Sequence, residues 1–150
     1  MGLLEWLFGV GATPRAEVTP SIEPVHVARG RGFNFEIVGE ASYQPALDAI
    51  CGGKCADGHK LATRAQLCFQ EDNPYDPNAI VVLIDRNVVG YIPRNLAKEM
   101  REAILRLNPE ERPVTCDARV VGGWIRDGGD EGHYGVKLSL SHPLKLAESA

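Results

Sequence analysis

The segment FNFEIVG, residues 33–39, alternates apolar and polar side chains and then stops at a glycine, the pattern of a half-buried strand. The next apolar positions, Ala46, Leu47, Ala49 and Ile50, fall at helical spacing and end at a glycine pair, which predicts a helix within residues 43–53. RAQLCFQE (64–71) and AIVVLID (79–85) read as strands, the second β-branched and buried. Arg86 and Asn87 form the expected tight connection to a partner strand, NVVGYI. Pro93 then opens a helix that carries Leu96, Met100, Ala103, Ile104 and Leu107 on one face. VTCDARVVGGWI and HYGVKLSL are two further strands across a charged, glycine-rich loop. Short strands in series, with two helices, predict a mainly β (α+β) fold, an OB-like small β-barrel.

The N-terminal part behaves differently. Residues 11–30 are rich in Pro, Thr, Ala and Glu with no sustained period, and read as a linker. The expected organisation is an apolar segment and linker over 1–30, one domain over 31–145 and a short tail over 146–150. The first ten residues, MGLLEWLFGV, are far shorter than the ~20 needed to span a bilayer. They lack the basic flank and cleavage site of a signal peptide, and Trp6 stands where a myristoylation motif needs Ser or Thr. A protein-docking or packing role for residues 1–10 and a cytoplasmic location are the expectations.

A formal net charge of −4 argues against a protein that coats long duplex DNA by counterion release. It leaves room for a local site at a strand end, where one cation and a stacking surface suffice. The four cysteines are too sparse for a disulfide framework. Cys51, Cys55 and His59 follow a C-x3-C-x3-H spacing, wider than the close pairs of zinc sites and lacking a fourth ligand, so no metal or other cofactor is expected. No nucleophile–base set and no phosphate-cradling GxxxxGK[ST] motif is present, which points to a binding module and not an enzyme.

The stretch EDNPYDPNA, residues 71–79, carries the most specific signal. Pro74 and Pro77 fix their own φ and push Asn73 and Asp76 toward extended conformations. Asn73 and Asn78 are suited to bonding the nearby backbone and locking the loop. Structural need accounts for these residues but not for Tyr75. A flat ring beside a carboxylate on a stiff loop suits a ligand with a base or sugar to stack and a hydroxyl to bind. Tyr91, on the following hairpin, either joins this platform or enters the core.

The run LCFQEDNPYDPNAIVVLIDRNVVGYIPRNLA, with FNFEIVGEASYQPAL upstream, resembles the HIRAN domain family. The resemblance implies an OB-like barrel that binds the 3′ end of single-stranded DNA. It implies that Tyr75 stacks on the terminal nucleotide, that Asp76 accepts a hydrogen bond from the free 3′-hydroxyl, and that Arg94 contacts a phosphate. DNA-binding members carry an arginine followed by tyrosines after the first strand. Here Ala41 and Ser42 stand in place of the arginine and the first tyrosine, and Tyr43 remains. The implied DNA-contact set is Tyr43, Asn73, Tyr75, Asp76, Tyr91 and Arg94, with Arg31, Lys54, Lys60 and Arg64 as candidates to follow the backbone further. The alternative is an adaptor of the same fold that binds protein and not DNA.

Overall fold

The computed structural model describes residues 22–148. The expected docking segment, residues 1–10, lies outside the described residues. The elements in chain order are β1 (Val25–His26), β2 (Phe35–Glu36), a 3-10 turn (Glu40–Tyr43), α1 (Gln44–Cys51), β3 (His59–Phe69), β4 (Ile80–Ile84), β5 (Asn87–Tyr91), α2 (Arg94–Leu107), β6 (Val114–Gly122) and β7 (Tyr134–Ser139). One seven-stranded sheet runs β2-β7-β6-β3-β4-β5, with β1 added parallel to the start of β6.

This sheet curls until its two ends meet. Two residues beyond β2, Val38 exchanges both backbone hydrogen bonds with Tyr91 at the end of β5, each 2.8 Å long. The fold is therefore mainly β with two helices and OB-like, as the strand pattern predicts. The stretch 33–39 is not one continuous strand. Phe35–Glu36 pairs with β7, and the chain then changes partner to β5. Asn34 supports the corner, holding the Leu140 carbonyl and amide with its side-chain amide. Gly90 makes the seam possible, because a Cβ there would lie 2.7 Å from the Val38 carbonyl oxygen.

Burial follows the register. Val114, Cys116, Ala118 and Val120 of β6 face inward, joined by Ala65 and Leu67 of β3, Ile80, Val82 and Ile84 of β4, and Val136 and Leu138 of β7. α1 covers part of this core through Leu47, which is fully buried, and ends at Gly52 in the left-handed region (φ 76°). The Gly53 amide reaches back to the Asp48 carbonyl and closes the helix end. α2 contributes Ala97 and Ile104. Deep burial pushes the Cys116 thiol up to about 12, so it remains a protonated, inert core group.

Four boundaries differ from the sequence-based expectation. The sheet begins upstream of Arg31: Val25–His26 pairs with Val114–Thr115, and Val27 is only 1% exposed. At the other end, Leu146 bridges Val27, and the Ala147 amide bonds the His26 carbonyl, so the expected tail is part of the sheet margin. β3 starts at His59 and not at Arg64, because β6 supplies a partner along its whole length, from His59↔Gly122 to Leu67↔Val114. The β4–β5 turn sits one residue earlier than the Arg86–Asn87 placement. Asp85 (φ 50°) and Arg86 (φ 68°) are its two central residues, and Asn87 braces it by donating to the Asp85 carbonyl.

Candidate nucleic-acid interface

The loop between β3 and β4 is built from Asn73 outward. Its side-chain carbonyl accepts the amides of Tyr75 (2.8 Å) and Asp76 (3.2 Å), while its Nδ2 donates to Gln70 Oε1 (2.9 Å). Asp76 Oδ1 in turn accepts the Asn78 amide at 3.0 Å. These local bonds make two successive Asx turns, and the two prolines stiffen them further. The loop then has little freedom to fold its aromatic ring away. Tyr75 is 82% exposed, the most exposed large apolar side chain among the described residues. A ring held in water on a rigid loop is an unsatisfied stacking surface.

α2 fastens the loop from beneath. Arg94, the first residue of the helix, donates from Nη2 to the Tyr75 carbonyl oxygen at 2.8 Å. Seven residues later, two turns along the same helix face, Arg101 pairs with Glu71 and lays its guanidinium 4.5 Å over the Phe69 ring. Arg94 therefore positions the loop first. The same guanidinium keeps further N–H donors beyond this bond. The amides of the first turn of α2 lie beside it, and Pro93 makes no side-chain cap there.

Tyr43 and Tyr91 form the second half of the site. Tyr91 ends β5 opposite Val81 and is half-buried, while Tyr43 lies at the junction of the 3-10 turn and α1. The two phenols are close neighbours across the junction of β5 and the 3-10 turn. Burial, with Tyr91 beside it, pushes the Tyr43 phenol above its ordinary value, which keeps it neutral. Tyr91 shares the face of Val81, on the side of the sheet away from the core residue Val82. Only Ile92 and Pro93 separate it from Arg94, so the β5 end places both halves at the same end of the barrel. Ala41 and Ser42 are exposed on the 3-10 turn and add neither a cation nor a ring.

The other sequence candidates disperse. Lys54 is paired with Glu131 at 2.7 Å, away from the Tyr75 loop. Cys55 Sγ lies 3.7 Å from His59 Nε2, but that nitrogen is 2.8 Å from the Gly53 carbonyl, and the thiol faces the Gly58 carbonyl. Burial, with Asp48 nearby, raises Cys51 and keeps it protonated. Tyr134, raised by burial and by its bond to Asp48, stacks on His59 and joins this corner to α1. Sequence reasoning missed Gln70 and Arg101. The seven-residue spacing of Arg94 and Arg101 on a helix following the loop is the signal that would have found the second.

With the barrel and its loop in place, the family can be stated. The family model of the HIRAN domain matches residues 33–121, more than half of the chain, and the protein belongs to that family of DNA-binding modules. Neither the curated proteins nor the solved structures compared with it give a match. Among the described residues no helix is long and apolar enough to cross a membrane.

The Asn73 brace sets an expected result. Asn73→Ala frees the Tyr75 and Asp76 amides together. At about 1 kcal/mol for each lost hydrogen bond, affinity for a single-stranded oligonucleotide should fall roughly fivefold to thirtyfold. Asn73→Asp, which keeps the acceptor, should lose less. Fluorescence anisotropy on both variants measures the difference.

Proposed function

We propose that the protein is a non-catalytic binding module for the 3′-hydroxyl end of single-stranded DNA, serving DNA repair, replication or mobile-element processing. The observation that carries this reading is the juxtaposition of an exposed ring and a carboxylate on one braced loop, Tyr75 and Asp76, with a cation bonded to that loop from the start of α2, Arg94. The terminal base stacks on Tyr75, with Tyr43 and Tyr91 beside it. Stacking is indifferent to base identity, because every base has a π-face. The Asp76 carboxylate has one oxygen engaged by the Asn78 amide and a second to accept a hydroxyl. It attracts a 3′-hydroxyl and repels a 3′-phosphate, so the same group gives affinity and selectivity. Arg94 and the first-turn amides of α2 receive the adjacent phosphate.

Asp76→Asn tests the division of labour. The amide keeps a hydrogen-bond acceptor for the hydroxyl but loses the charge. Preference for a 3′-hydroxyl over a 3′-phosphate should drop by about tenfold or more, since bonds to charged groups exceed neutral ones by about 1–1.5 kcal/mol and the repulsion disappears with them. An unchanged preference would remove Asp76 from the site.

A further inference from the structure

The outer face of the sheet, on the side away from the core, carries a second concentration of charge. Paired residues in adjacent strands share a face. The register therefore places Arg119 of β6 directly between Ala62 of β3 and Lys137 of β7, with Lys60 and Arg64 flanking Ala62 along β3. All lie opposite in orientation to the buried Ala118, Val120, Val136 and Leu138. The loop after β1 adds Arg29 and Arg31. It is pinned to β7 by Ser139, whose hydroxyl accepts the Gly30 amide and donates to the Gly32 carbonyl. Against these six cations the face sets Asp117, already engaged by His26 and Arg29, and Glu36 beside Lys137. This occurs in a chain whose net charge is −4.

Two details make this more than scattered surface charge. Arg119 and Lys137 are directly opposed across a strand pair, a like-charge arrangement relieved on one side only, by Glu36 opposite Lys137. Arg119 also has its Nε buried without a hydrogen-bond partner, while its guanidinium is packed 4.3 Å over the Phe33 ring. Arg29 lies 5.5 Å over the same ring. Phe33 is thus engaged by two guanidinium groups, which fixes the cations and offers no ring for a base. Ala62 and Gly135 keep the surface between the charges low.

We propose that this face of β3, β6 and β7 is a second nucleic-acid surface, which follows the phosphodiester groups of a single strand without reading its bases. The choice of ligand class rests on the DNA-end reading above. The surface itself needs no strand end, and that separates the two. It is continuous with the end site around the barrel exterior: Tyr91 pairs with Val38, Glu36 follows two residues away on the same side, and Lys137 and Arg119 come next.

The test uses a covalently closed single-stranded circle, which has no 3′ end, beside a trinucleotide with a 3′-hydroxyl. The circle should bind at low salt irrespective of base composition. With about four phosphates neutralised, log K should fall against log salt with a slope near −3. The double variant Lys60→Glu/Arg64→Glu, with its melting temperature checked for intact folding, should lose about tenfold or more on the circle and nothing on the trinucleotide. No binding of the circle, or a circle affinity indifferent to the double variant, overturns the proposal. Equal competition by polyglutamate, which would mark a general polyanion or acidic-protein surface, overturns it as well. Loss of trinucleotide binding alone would count against the end-recognition reading and leave this one standing.

Discussion

Tyr75→Ala should weaken binding of a short 3′-hydroxyl oligonucleotide by roughly fivefold to 150-fold, the equivalent of the ~1–3 kcal/mol that one stacked base contributes. The structure makes this a clean experiment. What Tyr75 gives the loop is its backbone: the amide to Asn73 and the carbonyl to Arg94. The ring itself is 82% exposed, so removing it leaves no cavity. The melting temperature should therefore stay within about 1–2 °C, as for a surface substitution of less than ~0.5 kcal/mol. Tyr75→Phe should bind nearly as the parent, since stacking requires the ring and not the hydroxyl. Unchanged affinity in Tyr75→Ala would assign the ring no part in binding.

Gly90→Ala should damage the barrel out of proportion to the single methyl group it adds. Its Cβ would fall 2.7 Å from both the Val38 carbonyl oxygen and Ile37 Cδ1. One of those atoms is backbone, so no rotamer change relieves the contact. The seam between Val38 and Tyr91 must open or shift. Overpacking of this kind costs about 1–3 kcal/mol, which for a chain of this size lowers the melting temperature by roughly 2–12 °C. Because Tyr91 sits on the seam beside Tyr43, DNA affinity should fall together with stability. Gly135→Ala is the control: its Cβ would meet only Val121 and Glu40 at ordinary distances, 3.6 and 3.7 Å, and it should leave both properties nearly unchanged. Thermal melts and binding on the two variants separate a seam effect from a general glycine effect.

How far the sequence alone reveals this molecule depends on what each element leans on. Segments with their own signal were legible. The β-branched run of β4 needs no partner to be recognised, and α2 displays its apolar face over four turns. Elements that exist through tertiary pairing were not. β1 is two residues long and is specified by Val114 and Thr115, nearly ninety positions away. The first half of β3, with Lys60 and Ala62, has weak strand propensity and is held by β6. The partner change after β2 is invisible to a pattern that simply alternates.

The candidate site divides in the same way. Asn73, Tyr75 and Asp76 announce themselves because local chemistry, the Asx turns and prolines, explains every neighbour except the ring. Arg94 stands at the start of α2, and its bond to the Tyr75 carbonyl shows a positioning duty that spacing does not express. The Tyr43–Tyr91 pair joins residues almost fifty positions apart, and the closing seam brings it about. Arg119 and Lys137 illustrate the limit most clearly: each is an ordinary strand cation until the register sets them side by side.

The most direct measurement is fluorescence anisotropy of the wild-type protein with one short labelled oligonucleotide, prepared with a 3′-hydroxyl or a 3′-phosphate, at low salt. The account predicts that the hydroxyl end binds about tenfold or more tightly than the phosphate end, as expected when a carboxylate faces the terminus. Equal binding of the two ends, or binding of neither at high protein concentration, would contradict it.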